Sequence, residues 1–324
     1  MKRVLIIGAT GQLGAEVARQ LCDSSRFRVR AMVRAGSHVG QLQSLRVERV
    51  VGDLKNLASL RSACRGVDAV IATATVVFPR RGDTFAADEE QGYRNLIRAC
   101  TDSGVGRFIY ASLATPLTEG HCRSCSTYRA KALVERMLAE STLNYSVLRC
   151  GPFMDDYFAL IGSRIPLRGE QNATLDRTRG LVRLLRRVCG DSIERWGVAV
   201  VPGPENRRHA FVAISDVAAC MVAALERSEA REIFPLGGPE SLSWADVTQL
   251  YAALLNRPVR TVTIPSSVLR WLTHISRNYS EALANQLAIL RILADHETGH
   301  LVEGEQGGSI TAKQYLMRKL GACV

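Results

Sequence analysis

The sequence predicts an α/β fold, a doubly wound parallel sheet with a smaller C-terminal lobe. Three observations point to it. Short apolar runs alternate with helical patterns through the first half of the chain, a glycine-rich turn separates the first run from the first helix, and a strand-and-helix pattern returns after residue 210. Near-continuous apolar strands are what a sheet covered by helices on both faces needs, whereas a sheet with one wet face alternates apolar and polar residues. At 324 residues the chain is long enough to bury such a core without disulfide or metal staples.

Taken in order, residues 4–7 (Val-Leu-Ile-Ile) read as the first strand and residues 11–22 as the first helix. Apolar runs at 29–33, 47–51 and 69–73 supply three more strands, and a helix is expected over 88–103. A strand at 108–111, a helix over 128–140 and a strand at 146–149 complete a core of residues 1–150. Residues 151–324 form the smaller lobe, though not as an independent body. Its run at 211–214, a helix over 215–227 and a run at 233–236 repeat the pattern of the core, so residues 211–237 are expected to return to the core sheet. Ser243 has the residue type of an N-cap and Asp246 that of its reciprocal partner, so a helix should open there. Helices over 266–275 and 280–293 follow.

Composition narrows function mainly by exclusion. With 47% hydrophobic and 23% charged residues the chain is an ordinary globular protein rather than a disordered or fibrous one. No run reaches the roughly eighteen apolar residues of a membrane span. Met1-Lys2-Arg3 leads into an apolar run far too short for a secretory signal, so a cytoplasmic protein is expected. Nine cysteines, odd in number and without framework spacing, read as reduced thiols. The net charge of +11 suits an anionic ligand or surface and says nothing of fold.

Gly8-Ala9-Thr10-Gly11-Gln12-Leu13-Gly14 lies between the first strand and the first helix. Glycines permit a tight turn, let the backbone approach a pyrophosphate and let helix pack closely on strand, while the helix N-terminus offers N–H groups and a positive dipole. A glycine triplet alone is weak. Inside a strand–turn–helix unit it becomes the signature of a Rossmann-type dinucleotide site, with Gly8, Thr10, Gly11, Gln12, Leu13 and Gly14 as candidate phosphate-binding residues. Where an acidic residue would bond the ribose of NAD, at the end of the second strand, the chain has Arg34. A guanidinium there pairs with a 2′-phosphate, so NADP(H) is expected ahead of NAD(H), the alternative being a solvated surface arginine. Asp53 and Leu54 are placed to border the adenine, and Ala72 and Thr73 to line the cofactor's backbone.

These features, together with Gly52-Asp53-Leu54, Arg94-Asn95-Leu96-Ile97, Gly106-Arg107-Phe108-Ile109-Tyr110-Ala111-Ser112 and Asn144-Tyr145-Ser146-Val147-Leu148-Arg149, resemble the NmrA-like group of atypical short-chain dehydrogenases/reductases. The resemblance covers about residues 3–240 well and extends more loosely to about 300. It implies the Rossmann-type sheet with a C-terminal substrate lobe, and a nicotinamide cofactor. It leaves two activities open, because the group includes NADP-dependent reductases and also regulators and photosystem assembly factors that bind the nucleotide without turnover. In ordinary short-chain dehydrogenases a tyrosine is the acid/base, a lysine one helical turn on holds the ribose, and a serine ending the preceding strand orients the substrate.

Carried onto this chain, Ser112 and Lys131 fill the serine and lysine places. Four residues before Lys131 stands Thr127, and Tyr128 stands only three before it. Both spacings share a helix face, so a Tyr128 that acts from an irregular first turn and a Tyr128 that merely packs both stand. The expected reaction is NADP(H)-dependent hydride transfer to a C=C or C=O bond of a small hydrophobic substrate, walled by residues 112–117, 152–157 and the C-terminal helices. The alternative is a non-catalytic NADP(H)-binding sensor or assembly factor.

His296-Glu297-Thr298-Gly299-His300 spells the His-Glu-x-x-His pattern of zinc proteases, which needs a continuous helix and a third ligand. Gly299 reads instead as a helix terminator, and no metal is expected. His121-Cys122-Arg123-Ser124-Cys125 lacks the second pair of a tetrahedral site. Residues 164–195 carry eight arginines against four acids, and a basic insertion is expected near 172–197. A solvated helix is the plain reading. Sharper ones are a lid, a homo-oligomer contact or a peripheral contact with an anionic membrane. No interleaved aromatics support nucleic acid as a partner.

Overall fold

The fold is given by a computed structural model that describes residues 1–75, 87–114, 117–170, 173–177, 190–227, 231–298 and 307–321. It contains two compact units, one of residues 1–113, 117–149 and 217–234, the other of residues 114–116, 150–216 and 235–324.

The sheet of the first unit begins with β1 (Lys2–Ile7), β2 (Phe27–Val33), β3 (Val47–Val51), β4 (Ala69–Ala72), β5 (Arg107–Leu113) and β6 (Tyr145–Cys150). Their order is β3-β2-β1-β4-β5-β6, with the strand Glu232–Leu236 as a seventh at the far edge. β1 pairs in parallel with both β2 and β4, so that Ile7 stands between Met32 and Ala72. β2 in turn pairs with β3, Val33 against Val51. The chain order reverses at β1, and the segments that leave the carboxyl ends of β1 and β4 diverge there, which is where open α/β sheets bind ligands. Val4 to Ile7 are buried completely or nearly so, as a strand covered on both faces must be. The helices Leu57–Cys64, Ala87–Asp102 and Ser126–Glu140 place Leu60, Leu96, Val134 and Leu138 in one apolar cluster with Leu5, Val70 and Phe108.

The seventh strand is tied in by charge. Arg107 on β5 is buried, and its guanidinium donates to the Ala224 carbonyl at 3.2 Å and to Glu232 at 2.9 Å. Ser146 of β6 donates to the same carboxylate. Two charges taken out of water in this way must stay paired, which holds residues 224 and 232 against the sheet.

In the second unit Phe158, Phe211, Trp244, Tyr251 and Tyr315 form a buried aromatic cluster, with Phe158 edge-on to Phe211 at 5.1 Å. The helix Trp244–Leu255 opens as the sequence predicts: Ser243 Oγ accepts from the Asp246 N–H at 3.1 Å and Asp246 accepts from the Ser243 N–H at 2.8 Å. The apolar run at 211–214 departs from expectation. Val212 makes a single bridge to Phe153, Phe211 and Ala213 are buried in this unit's own core, and a helix starts at Ile214. Its first N–H donates to Asp155 at 3.0 Å, a carboxyl whose pKa burial pushes up. An apolar run serves a core as well as a sheet, and of the expected return at 211–237 only residues 232–236 join the sheet.

The helix Glu281–Asp295 ends before the His-Glu-x-x-His stretch, with His296 in extended conformation. Thr298 bonds instead to buried His209 at 2.9 Å, whose pKa burial and Arg207 push down to about 4. Gly299 and His300 lie outside the described residues, among which no group of three or more His, Cys, Asp or Glu is arranged to hold a metal ion. Much of the expected basic insertion, residues 171–172 and 178–189, also lies outside them. Of the described arginines of residues 164–195, Arg164 and Arg195 stand 3.5 and 4.0 Å from Asp191. Among the described residues no helix is long and apolar enough to cross a membrane.

Candidate functional site

The glycine turn is built by close approach of backbones. Gly8 has φ +91°, which favours glycine, and a Cβ there would stand 2.7 Å from both Thr73 Oγ1 and the Ala74 nitrogen. A Cβ on Gly14 would lie 2.2 Å from the Gly8 carbonyl oxygen. Thr73 locks the arrangement, because its N–H and its hydroxyl both donate to the Ile7 carbonyl, at 2.9 and 3.1 Å. Gly11 differs from its two neighbours. It closes the turn by donating to Gly8 at 2.8 Å, has an ordinary φ of −82°, and among the described residues an added Cβ would meet only the Gly8 oxygen, at 3.2 Å.

The helix α1 (Gln12–Ser24) has Gly11 as its N-cap, without a side-chain cap and without an acid in its first turn. The first-turn N–H groups of Leu13 and Gly14 have no acceptor within a helix, and the dipole end favours an anion. A cradle of N–H groups at a turn where bulk is excluded fits the phosphates of a dinucleotide. Thr10 is half-buried, and Gln12 and Leu13 are buried.

Arg34 is the first residue beyond β2 and is exposed, its carbonyl closing a turn with the Ser37 N–H at 3.0 Å. The Gly52 N–H donates to Val33 at 3.0 Å, which brings Asp53 alongside. The Asp53 carboxylate accepts from the Lys55 N–H at 2.9 Å and so shapes its own turn, while the Leu54 carbonyl accepts from Asn95 at 3.1 Å. Ala72 is fully buried and its methyl belongs to the apolar core, so Thr73, not Ala72, supplies the side chain at the glycine turn.

A second cluster is made of side chains. Ser112 at the end of β5 donates to Glu135 at 2.5 Å, and Arg149 donates to the same carboxylate at 2.6 Å. Lys131 donates to the Ala111 carbonyl at 2.9 Å and lies 4.6 Å over the ring of Tyr110. Tyr110 stands edge-on to Tyr93 at 5.1 Å, and Tyr93 donates to the Ala74 carbonyl at 2.6 Å. Burial holds both phenols well above the usual tyrosine range, so they stay neutral. The helix Ser126–Glu140 starts two residues earlier than the sequence suggests, which puts Thr127 and Tyr128 together in its first turn, both buried, with Tyr128 edge-on to His121 at 5.6 Å.

Ser112 on β5 and Lys131 on the helix Ser126–Glu140 thus meet at neighbouring residues of β5, Lys131 through the Ala111 carbonyl, while Glu135, Arg149, Tyr110 and Tyr93 join the cluster without being singled out by the sequence. Glu135 had a signal: it follows Lys131 by four residues on the same helix. Of the residues expected to wall the substrate, Met154 is buried in the second unit's core and Asp155 caps a helix. Thr115 and Pro116 lie outside the described residues.

Residues 1–303 match the family model of the NmrA-like family. The photosystem II assembly factor Ycf39 of Synechocystis sp. is 26% identical over 298 residues, covering 90% of this chain and 80% of that one. An NAD(P)H azoreductase of Xenophilus azovorans is 25% identical over 262 residues, covering 81% and 77%. Among solved structures, the triphenylmethane reductase of Citrobacter sp. complexed with NADP(H) shares the fold with a TM-score of 0.68 at 18% identity, over 98% of this chain and 99% of that one.

Proposed function

The chain belongs to the NmrA-like family, and from that premise we propose that it binds NADP(H) and reduces a C=C or C=O bond of a small hydrophobic substrate. The observation that carries the nucleotide half is the turn in which Gly8, Gly14 and Thr73 leave no room for an added atom while Gly11, among the described residues, faces a single neighbour. Gly8 to Gly14 hold the pyrophosphate with backbone N–H groups, Arg34 pairs with the 2′-phosphate, and Asp53, Leu54 and Thr73 line the nucleotide. When bound, the nicotinamide supplies a hydride.

The chain's own contribution to the chemistry is positioning. Lys131, steadied by Ala111 and Tyr110, holds the ribose. Ser112 gives its proton to Glu135, so toward a substrate it offers lone pairs and suits a hydroxyl or N–H donor. Tyr128, packed against His121, is dispensable as the acid, because water delivers the proton to the enolate or alkoxide that hydride addition leaves. Steady NADPH oxidation with an enone, quinone or azo dye tests the reading.

The second reading, a nucleotide-holding sensor or assembly factor, is favoured by the commitment of Ser112 to Glu135 and by threonine, Thr127, where ordinary short-chain dehydrogenases have the tyrosine. The likeness to a photosystem II assembly factor leans the same way. NADPH binding without oxidation by any of those acceptors would select it.

A further inference from the structure

The helix Ser266–Ser276 in the second unit shows three distinct sides. At about 100° per residue, Leu269, Thr273 and Ser276 fall on one side, and these three are buried. Val268, Trp271, Leu272 and Ile275 gather on another, within an arc of about 100°. This is the more apolar side, yet Val268 is 41% and Trp271 62% exposed, and Leu272 and Ile275 are only half-buried. Arg270, His274 and Arg277 occupy the third side, next to the exposed apolar arc, and all three are exposed. Just beyond the helix Tyr279 is 84% exposed.

From residue 256 to residue 280 the chain contains four arginines, Arg257, Arg260, Arg270 and Arg277, and no aspartate or glutamate. A helix that turns an exposed tryptophan stripe and a basic side outward together has the composition of a segment that lies in the plane of a lipid interface. Tryptophan and tyrosine favour the headgroup level, arginine stems lie along apolar surface with their heads toward phosphates, and cations concentrate at anionic leaflets.

We infer that this helix attaches the protein peripherally to an anionic lipid surface, with Val268, Trp271, Leu272 and Ile275 entering the headgroup boundary and Arg270 and Arg277 meeting lipid phosphates. A second copy of the chain fits less well as the occupant, because a two-fold contact would set Arg270, His274 and Arg277 against their own copies.

The test uses the full chain with large vesicles of phosphatidylcholine alone or mixed with phosphatidylglycerol. At low salt the protein sediments with the anionic vesicles and not with the neutral ones, and tryptophan emission shifts to the blue. A Val268→Ser, Trp271→Ser double variant loses roughly tenfold or more in vesicle partition, and an Arg270→Glu, Arg277→Glu variant loses the preference for anionic vesicles. Unchanged melting temperature shows that the variants are folded, since all four positions are on the outside. Absence of sedimentation with either vesicle overturns the inference, and so does equal partition of both variants with the unmodified protein, which would assign binding to other basic surface. A Trp271→Ser variant that turns a dimer into a monomer without altering vesicle binding overturns it in favour of self-association.

Discussion

Gly14 and Lys131 both belong to the first unit, and they are held in opposite ways. Gly14 is fixed by what cannot be added: a Cβ would lie 2.2 Å from the Gly8 carbonyl oxygen and 2.8 Å from Thr73 Oγ1, so the backbones of Gly8 and Gly14 touch. Lys131 is fixed by what cannot be removed. Its ammonium rests on the Ala111 carbonyl and the Tyr110 ring, beside Ser112, which answers to Glu135, which answers to Arg149. The turn is therefore sensitive to volume and indifferent to charge, whereas the side-chain cluster is sensitive to charge and tolerant of modest changes in size. Substitutions in the two regions should fail differently.

The largest effect belongs to Gly14→Val. Backbone atoms cannot yield to the new side chain, and destabilisation of about 3 kcal/mol or more is expected, read as a collapsed melting transition. A variant that melts like the unmodified protein would break the first half of the comparison. Gly11→Val sharpens it, because Gly11 has ordinary dihedrals and its added Cβ meets one oxygen at 3.2 Å. That variant should melt within a few degrees of the parent yet lose NADPH affinity by roughly 100-fold, since its bulk occupies the place of the pyrophosphate. Equal losses of stability in the two glycine variants would erase the distinction between a packing glycine and a ligand-facing one.

The difference between the regions also accounts for what the sequence could disclose. A turn that depends on the absence of side chains announces itself, because only glycine satisfies it, and Gly8, Gly11 and Gly14 between a strand and a helix are visible without any partner. Arg34 stands out as a candidate for a related reason: its place at the end of β2 and the charge it bears suit a 2′-phosphate. The cluster around Lys131 draws on residues 93, 110, 111, 112, 135 and 149, brought together by the pairing of strands and the packing of two helices, and spacing along the chain records little of that. The run at 211–214 was misread on the same ground, since Phe211 and Ala213 are apolar for the sake of a core that lies elsewhere in the sequence.

In the second region the expected effects are smaller and follow charge. Glu135→Ala leaves Arg149 and Ser112 without their shared acceptor and should lower stability by about 2 kcal/mol in denaturant titration, the half-exposed Arg149 being partly rescued by water. Glu135→Gln should lose less, because its amide oxygen still accepts from Ser112. Stability unchanged in both variants would mean that the carboxylate organises nothing. Lys131→Ala should weaken NADPH binding by about tenfold, the value of one charged hydrogen bond to the ribose, and no weakening would remove this lysine from the nucleotide's surroundings. The smallest effect is expected at Tyr128→Phe. With protonation left to solvent, turnover should change by less than about threefold, and a fall of about 10²–10⁴-fold would restore Tyr128 as the general acid.

Parallel equilibrium titrations with NADPH and NADH decide whether the strand ends form a site for NADP(H). The unmodified protein is expected to bind NADPH roughly 10- to 100-fold more tightly than NADH, the size of a charged hydrogen bond to the 2′-phosphate, and Arg34→Ala to reduce the ratio to a few-fold by weakening NADPH alone. Equal affinities for the two nucleotides, or binding of neither by the folded protein, would contradict such a site.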